Sequence, residues 1–422
     1  MVLTATHHVS AAHPSTLGGR LAAGSARAVV TFAGQGVAVL DELAALVAQR
    51  PELAPGVALG TEVMTRVAGS DLALEAGAYR HGVDVSAWVL DPDGAPDAAY
   101  LRGAAVAYPL SLLAQALLWR ALWADTLADA IAAGSVLAFA GHSQGLLAAR
   151  LVAEAPGGEV TDALLAAHLE RAAIQGLHLS AAACGRSPMA AIDGVPFARL
   201  EPLLAEVNAV AASPAATVAL VNAPARLVVA GPPATLDLLR ARLTEQAARE
   251  ERARRAGRRG GAPLRFEWHE LAVDVPFHSP ALAGPLAAFE PHAAEAETWA
   301  PVLGGEGGVA RAQFVEPVRW DAVAAEIAAL GADWVLDLGP GTAVARLTAE
   351  NLRGTGVRTL ALASPEGRRV LTAPGAAPAG RDITYAELVP GVVELPGGRR
   401  HLDTRYTRAT GRPPVILAGM TP

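Results

Sequence analysis

The chain has 422 residues, 52% of them hydrophobic, and a formal net charge of −7. All 34 of its basic side chains are arginine, which excludes a Schiff-base lysine and a Walker-type phosphate lysine, and the acidic balance argues against a nucleic-acid partner, whose phosphates need a basic face. With Cys184 as the single cysteine no intrachain disulfide is possible, and a cytoplasmic location is expected.

The length suits one large domain with an insertion, or two to three ordinary domains. Residues 1–20 hold His7, His8 and His13 but no secretory pattern and no metal-ligand spacing. The most apolar run, Ala116 to Trp123, is short and broken by Arg120, so no membrane partner is expected. The stretch "ARAVVTFAGQG" (26–36) is an apolar strand ending in glycines, followed by "VLDELAALVAQR" (39–50) with helical spacing. Residues 51–103, rich in Gly, Asp and Pro, are expected to be irregular. The run 108–134 is strongly helical, with Pro109 suited to a first turn.

Next comes "SVLAFAGHSQGLLAARLVAE" (135–154), a buried strand, a G-x-S-x-G pentapeptide and a helix. Glycines on either side of Ser143 permit a sharp turn that exposes its hydroxyl at a helix N-terminus, where backbone N–H groups favour developing negative charge. Ser143 is therefore the candidate nucleophile, and it needs a base. Among eleven histidines, His278 in "VDVPFHSP" follows a strand and sits between two prolines that stiffen its loop.

From Pro188 the predicted order is strand, helix, two strands, helix, strand ("PMAAIDG", "FARLEPLLAEVNAV", "TVALVNAP", "RLVVAGP", "ATLDLLRARLTEQAARE", "FEWHELAVDVP"), the pattern of a ferredoxin-like unit. "REERARRAGRRGG" (249–261) is the densest charge cluster and is expected to be a solvated loop, with carrier-protein contact as the alternative. Residues 280–365 return to strand and helix alternation, and beyond 365 the chain turns rich in Pro, Gly and Arg.

Six motifs in order, "FAGQG" (32–36), "GHSQG" (141–145), "VNAP" (221–224), "PFHS" (276–279), "EPVRW" (316–320) and "DLGPG" (337–341), resemble those of the malonyl and acetyl acyltransferases over roughly residues 26–365. The sequence looks most like the acetyl transferase domain of fungal and related bacterial type I fatty acid synthases, because its ending "GRPPVILAGMTP" (411–422) is similar to the first strand of their enoyl reductase. The resemblance implies an α/β-hydrolase-like acyltransferase core in two parts, 1–187 and 277–365, around a ferredoxin-like insert at 188–276. A linker at 366–412 and a truncated reductase start at 413–422 would follow.

The same resemblance implies that Ser143 is the nucleophile and His278 the general base and acid. It assigns the backbone carbonyl of Gln313 to the histidine's other N–H, the backbone N–H groups of Gln35 and Gln144 to the oxyanion hole, and substrate contacts to Asn222 and His142. Malonyl-selective relatives carry an arginine that pairs with the free carboxylate; that position falls here at Gln175, or at Ile174 if the register slips. Neither is cationic, which favours acetyl-CoA as substrate, with an acyl carrier protein and other synthase domains as partners and no permanent cofactor or metal. Arg171, one helical turn before Gln175, readmits malonyl if it points inward. Asp274 and Asp337 invite a triad assignment, but the resemblance implies that no carboxylate is needed. The alternatives are a malonyl or malonyl/palmitoyl transferase, a hydrolase, and a non-catalytic scaffold segment of a megasynthase.

Overall fold

The computed structural model describes residues 15–35, 39–211, 215–257 and 263–373, together with the backbone of 392–395 and 399–402. In chain order the strands are β1 (Ala28–Phe32), β2 (Val136–Gly141), β3 (Met189–Asp193), β4 (Thr217–Ala223), β5 (Arg226–Ala230), β6 (Glu267–Glu270), β7 (Val302–Leu303), β8 (Val318–Arg319), β9 (Trp334–Asp337), β10 (Arg358–Ala361), β11 (Val392–Leu395) and β12 (Arg399–Leu402).

Strands β10, β9, β1, β2 and β7 form, in that order, a parallel sheet. Every residue of β1 and of β9 is buried, as befits strands covered on both faces. One face packs against the large cluster that includes Leu43, Leu113, Trp119 and Leu151, the other against a cluster built on Val29, Ala138, Trp320 and Ile327. In open sheets of this kind the C-terminal strand ends form the crevice where ligands bind. Residues 33–35, 142–144 and 338–341 follow such ends, those of β1, β2 and β9.

The second sheet has the order β6-β3-β5-β4, antiparallel throughout, which is the order a β-α-β-β-α-β unit gives when its two outer strands flank the first and third. Helices Phe197–Val210 and Pro233–Arg255 supply the crossovers, and Ile192, Leu200, Val207, Val229, Leu239 and Leu243 make a core of its own. Strand β8, from after the insert, adds parallel to β4 through Leu220–Val318 and Val221–Arg319. The fold class is thus α/β, a core built on a parallel sheet with a ferredoxin-like insert.

Four expectations change. Residues 51–103 are mostly helical, including Ala54–Ala68. Gly56 and Gly60 lie on one face of that helix against Leu117 and Leu113, so they serve close packing rather than turns. Helix Ala104–Leu122 starts five residues before Pro109, which therefore lies inside it. Proline cannot donate to the Ala105 carbonyl four residues back, and the Tyr79 hydroxyl donates there instead, at 3.1 Å. With its continuation to Ala132 this stretch is long and apolar enough to cross a membrane, yet 94% of its most apolar window is buried inside the fold, which accounts for the apolarity. Strand β6 covers only 267–270 of the predicted 266–276. Helix Pro365–Thr372 buries Val370 and Leu371 in the main core, past the expected linker boundary.

The first compact unit runs to Pro374. In the second, 375–422, β11 and β12 pair antiparallel. The 413–422 segment, like His7, His8 and His13, lies outside the described residues.

Candidate active site

Ser143 stands two residues past the end of β2, where the chain turns into helix Gly145–Glu154. Its φ is 52°, in the left-handed region that costs a non-glycine residue about 1–3 kcal/mol. The flanking glycines make this possible by close approach. A Cβ on Gly141 would overlap the backbone of Leu146, and one on Gly145 the carbonyls of Phe32 and Ala33. His142 N–H donates to the Phe32 carbonyl at 2.9 Å, tying the elbow to β1.

His278 reaches the same point from the loop after the insert, with a φ of 56°. Ser279 pins this loop: its N–H donates to the Phe314 carbonyl at 3.1 Å and its hydroxyl to the Pro276 carbonyl at 2.7 Å. The Ser143 Oγ and His278 Nε2 lie 2.7 Å apart. On the other side of the ring, Nδ1 faces the carbonyls of Ala312, at 2.9 Å, and Glu316, at 3.1 Å. Carbonyls only accept, so Nδ1 carries the proton and the Nε2 lone pair is directed at the serine hydroxyl. Burial pushes the imidazole pKa down to about 4, against the opposing pull of the two carbonyls, and His142 adds to the fall. The ring is therefore neutral at neutral pH, with the Nε2 lone pair free to accept a proton.

This corrects one assignment. The Gln313 carbonyl is not the acceptor of the His278 N–H; Ala312 and Glu316 on either side provide it, because the helix Val309–Phe314 ends between them. Gln313 contributes instead through its side-chain Nε2, which donates to the Ser143 carbonyl.

The loop after β1 lies against the elbow: a Cβ on Gly34 would sit 3.1 Å from Ser143 Cβ. Gln35, in this loop, and Gln144, next to Ser143 in the chain, each have a backbone N–H with no acceptor among the described residues. The Gln35 side chain donates to the Arg102 carbonyl at 2.6 Å and the buried Gln144 side chain to the Tyr108 carbonyl at 3.3 Å. His142 is held from the insert. Its Nε2 lies 2.7 Å from Asn222 Oδ1 and must donate to it, while its ring meets Trp320 edge-on and burial lowers its pKa. Asn222 in turn accepts at its carbonyl from Asn351 at 2.7 Å, so it anchors His142 between core and insert.

A cleft of about 150 Å³ is lined among others by Ser143, Leu146, Gln313, Glu316 and Trp320. A separate cavity of about 20 Å³ is lined by Leu147, His168, Arg171, Gln175 and Phe289. Gln175 is 1% exposed, and its Nε2 has no acceptor among the described residues. Arg171 faces the same cavity and has no ion-pair partner among the described residues, whereas neighbouring Arg150 is paired with Glu154 and Glu295. Ile174 does not line this cavity and packs instead with the Val67, Ala73 and Leu177 cluster.

Asp337 is remote from His278. It accepts from the Thr31 hydroxyl at 2.9 Å and from Gly339 N–H at 3.1 Å, and burial raises its pKa to about 7. The Asp274 carbonyl holds Cys184 N–H. In the arginine-rich run, Arg249, Arg254 and Arg255 pair with Glu245 and Glu251 on their own helix; residues 258–262 lie outside the described residues. Asp193, Glu267 and His269, on β3 and β6, bring possible ligand atoms within 4.8 Å of one another, and Arg226 already partners Asp193.

Sequence reasoning missed the carbonyls of Ala312 and Glu316, which carry no side-chain signal.

Residues 188–268 match the family model described as the fatty acid synthase central AT domain. The chain is 26% identical over 171 residues to fatty acid synthase 2 of Mycosarcoma maydis and 30% identical over 184 residues to the fatty acid synthase subunit beta of Schizosaccharomyces pombe. These matches cover 36% and 38% of this chain and only 5% and 9% of those much longer proteins. Among solved structures, the fold is similar to a malonyl-CoA:acyl carrier protein transacylase of Xanthomonas oryzae, with TM-score 0.61, 21% identity and coverage of 82% of this chain and 98% of that one. It is also similar to a malonyl transacylase solved in complex with its type II polyketide acyl carrier protein, with TM-score 0.58, 19% identity and coverage of 82% and 99%. The family model and both curated relatives are thus of fatty acid synthases, and the solved structures share the fold.

Proposed function

We propose that this chain transfers a short acyl group from a coenzyme A thioester to the phosphopantetheine thiol of an acyl carrier protein, through an acyl ester on Ser143. The observation that carries this reading is the 2.7 Å contact between Ser143 Oγ and a His278 ring whose proton is held on the far nitrogen by two carbonyls.

As Ser143 Oγ attacks the thioester carbonyl carbon, His278 Nε2 takes the hydroxyl proton. The carbonyl oxygen becomes an oxyanion facing the N–H groups of Gln35 and Gln144. When the C–S bond breaks, Nε2 returns the proton to the departing sulfur. In the second half the incoming thiol gives its proton to Nε2, its sulfur attacks the ester carbonyl, and the Ser143–acyl bond breaks with the proton returning to Oγ. Two carbonyls on Nδ1 do here what a carboxylate does in a triad, fixing tautomer and aim without adding a buried charge.

For the acyl group we propose acetyl, because the family resemblance aligns Gln175, or Ile174 one register away, with the arginine of malonyl-selective relatives, and neither is cationic. Malonyl is the second reading, and one observation favours it: Arg171 lines the Gln175 cavity without a carboxylate partner among the described residues. The test is intact-mass spectrometry after brief exposure to each thioester, with Ser143→Ala as control. An acetyl adduct absent from the control supports the first reading and a malonyl adduct the second. No adduct from either, and no thioester loss, defeats both in favour of a scaffold segment; free acid without an accumulating adduct indicates a hydrolase.

A further inference from the structure

We propose that Gln115 is a positioning residue for the oxyanion hole, acting through the Ala33 carbonyl; this rests on the acyl-serine reading above. Gln115 lies in the middle of helix Ala104–Leu122 and is 1% exposed. An amide buried among leucines is costly unless it is hydrogen-bonded. Both bonds it makes are donations from Nε2, to the Ala33 carbonyl at 2.7 Å and the Gly339 carbonyl at 2.8 Å. Its Oε1 has no partner among the described residues, so donation is what the group contributes here.

The two carbonyls belong to the two loops that frame the site. Ala33 N–H itself donates to the Gly339 carbonyl at 2.7 Å, so the amide closes a three-way junction between the end of β1, the loop after β9 and the buried helix. Ala33 lies two residues before Gln35. The Ala33 carbonyl is also one of the atoms that a Cβ on Gly145 would strike, and Gly145 directly follows Gln144. One carbonyl oxygen is therefore held between the Gln115 amide and the backbone bearing the second donor. Its position fixes the separation of the Gln35 and Gln144 N–H groups, and an oxyanion donor works only when it is aimed at the place where the charge develops. Small displacements of such a donor are felt in rate rather than in binding.

The experiment uses the full chain and a fluorophosphonate probe. Ser143 Oγ would attack its phosphorus, fluoride would leave, and the hydroxyl proton would pass to His278, so the reaction reads nucleophile, base and oxyanion hole without coenzyme A or carrier. In Gln115→Met, equal in length and lacking the donor, the limiting inactivation rate is expected to fall tenfold or more, with half-saturation unchanged within twofold. Gln115→Glu, which as a neutral acid offers one donor for two carbonyls, is expected to lie between. Leu118→Ala, a core change in the same helix, lowers stability and keeps the wild-type limiting rate. An unchanged rate in Gln115→Met or in Gln115→Glu, or an equal fall in Leu118→Ala, overturns the proposal. A wild-type chain that reacts with the probe but is acylated by neither thioester defeats the acyl-transfer reading and leaves this comparison intact.

Discussion

Ser143 and His278, whose side chains meet at 2.7 Å, are the two non-glycine residues with positive φ among the described residues, at 52° and 56°. Each stands on a turn that its own residue type does not prefer, and each is held there by neighbouring backbone. Strain at both partners of one hydrogen bond marks the pair as something the fold maintains against local preference.

That strain predicts a stability gain from an inactivating change. Ser143→Gly removes the Cβ penalty of the left-handed conformation and should raise stability by about 1 kcal/mol despite losing the bond to His278. Ser143→Ala keeps the Cβ and loses the bond, so it should not stabilise. Denaturant midpoints of the two variants check this, and a glycine variant no more stable than the alanine one refutes it.

The depressed pKa of His278 predicts an unusual acid limb. Because the ring stays neutral down to about pH 4, the acylation rate should hold through the ordinary imidazole range near 6.5 and fall only as pH approaches 4. The linked stability change has a definite sign. Between pH 6.5 and 4 the unfolded chain binds a proton at this position that the folded one does not, so the folded state loses stability as pH falls across that window. His278→Gln should flatten that part of the stability profile, measured by denaturant titration at several pH values.

Arg171 gives a direct test of acyl choice. A charge-assisted hydrogen bond to a carboxylate contributes about 1.5–3 kcal/mol, so if malonyl is bound, Arg171→Ala should cut malonyl loading roughly tenfold to a hundredfold. Acetyl loading, with no carboxylate to pair, should change less than about twofold by the same reasoning. Parallel single-turnover loading with the two thioesters separates the outcomes.

The Tyr79 hydroxyl stands in for the backbone donor that Pro109 lacks. Tyr79→Phe leaves the Ala105 carbonyl without that partner and should cost about 1–2 kcal/mol in chemical denaturation, with acylation unaffected. The restoring test is Pro109→Ala in the Tyr79→Phe background, which returns an N–H to the helix and should recover stability.

Legibility followed how local the information was. The elbow was readable because five adjacent residues carry both the nucleophile and the glycines that let its backbone pass β1 and the following helix. The insert was readable because hydrophobic periodicity switched between strand and helix spacing in a recognisable order. Residues 51–103 were misread because glycine signals a turn and a close helix contact with the same letter, and Gly56 and Gly60 meant the latter. Pro109 was misplaced because the hydroxyl that compensates for it lies thirty residues earlier in the chain.

By itself, then, the amino-acid sequence determined the architecture and the candidate nucleophile, which depend on side-chain type and short spacing, while His278 was singled out as candidate base by the family resemblance. Only the tertiary structure decided which carbonyls hold His278, that Arg171 faces the Gln175 cavity, and that Gln115 holds the Ala33 carbonyl. The reason is physical: a backbone carbonyl is the same group in every residue, and the direction of a side chain on a helix is set by what packs against it.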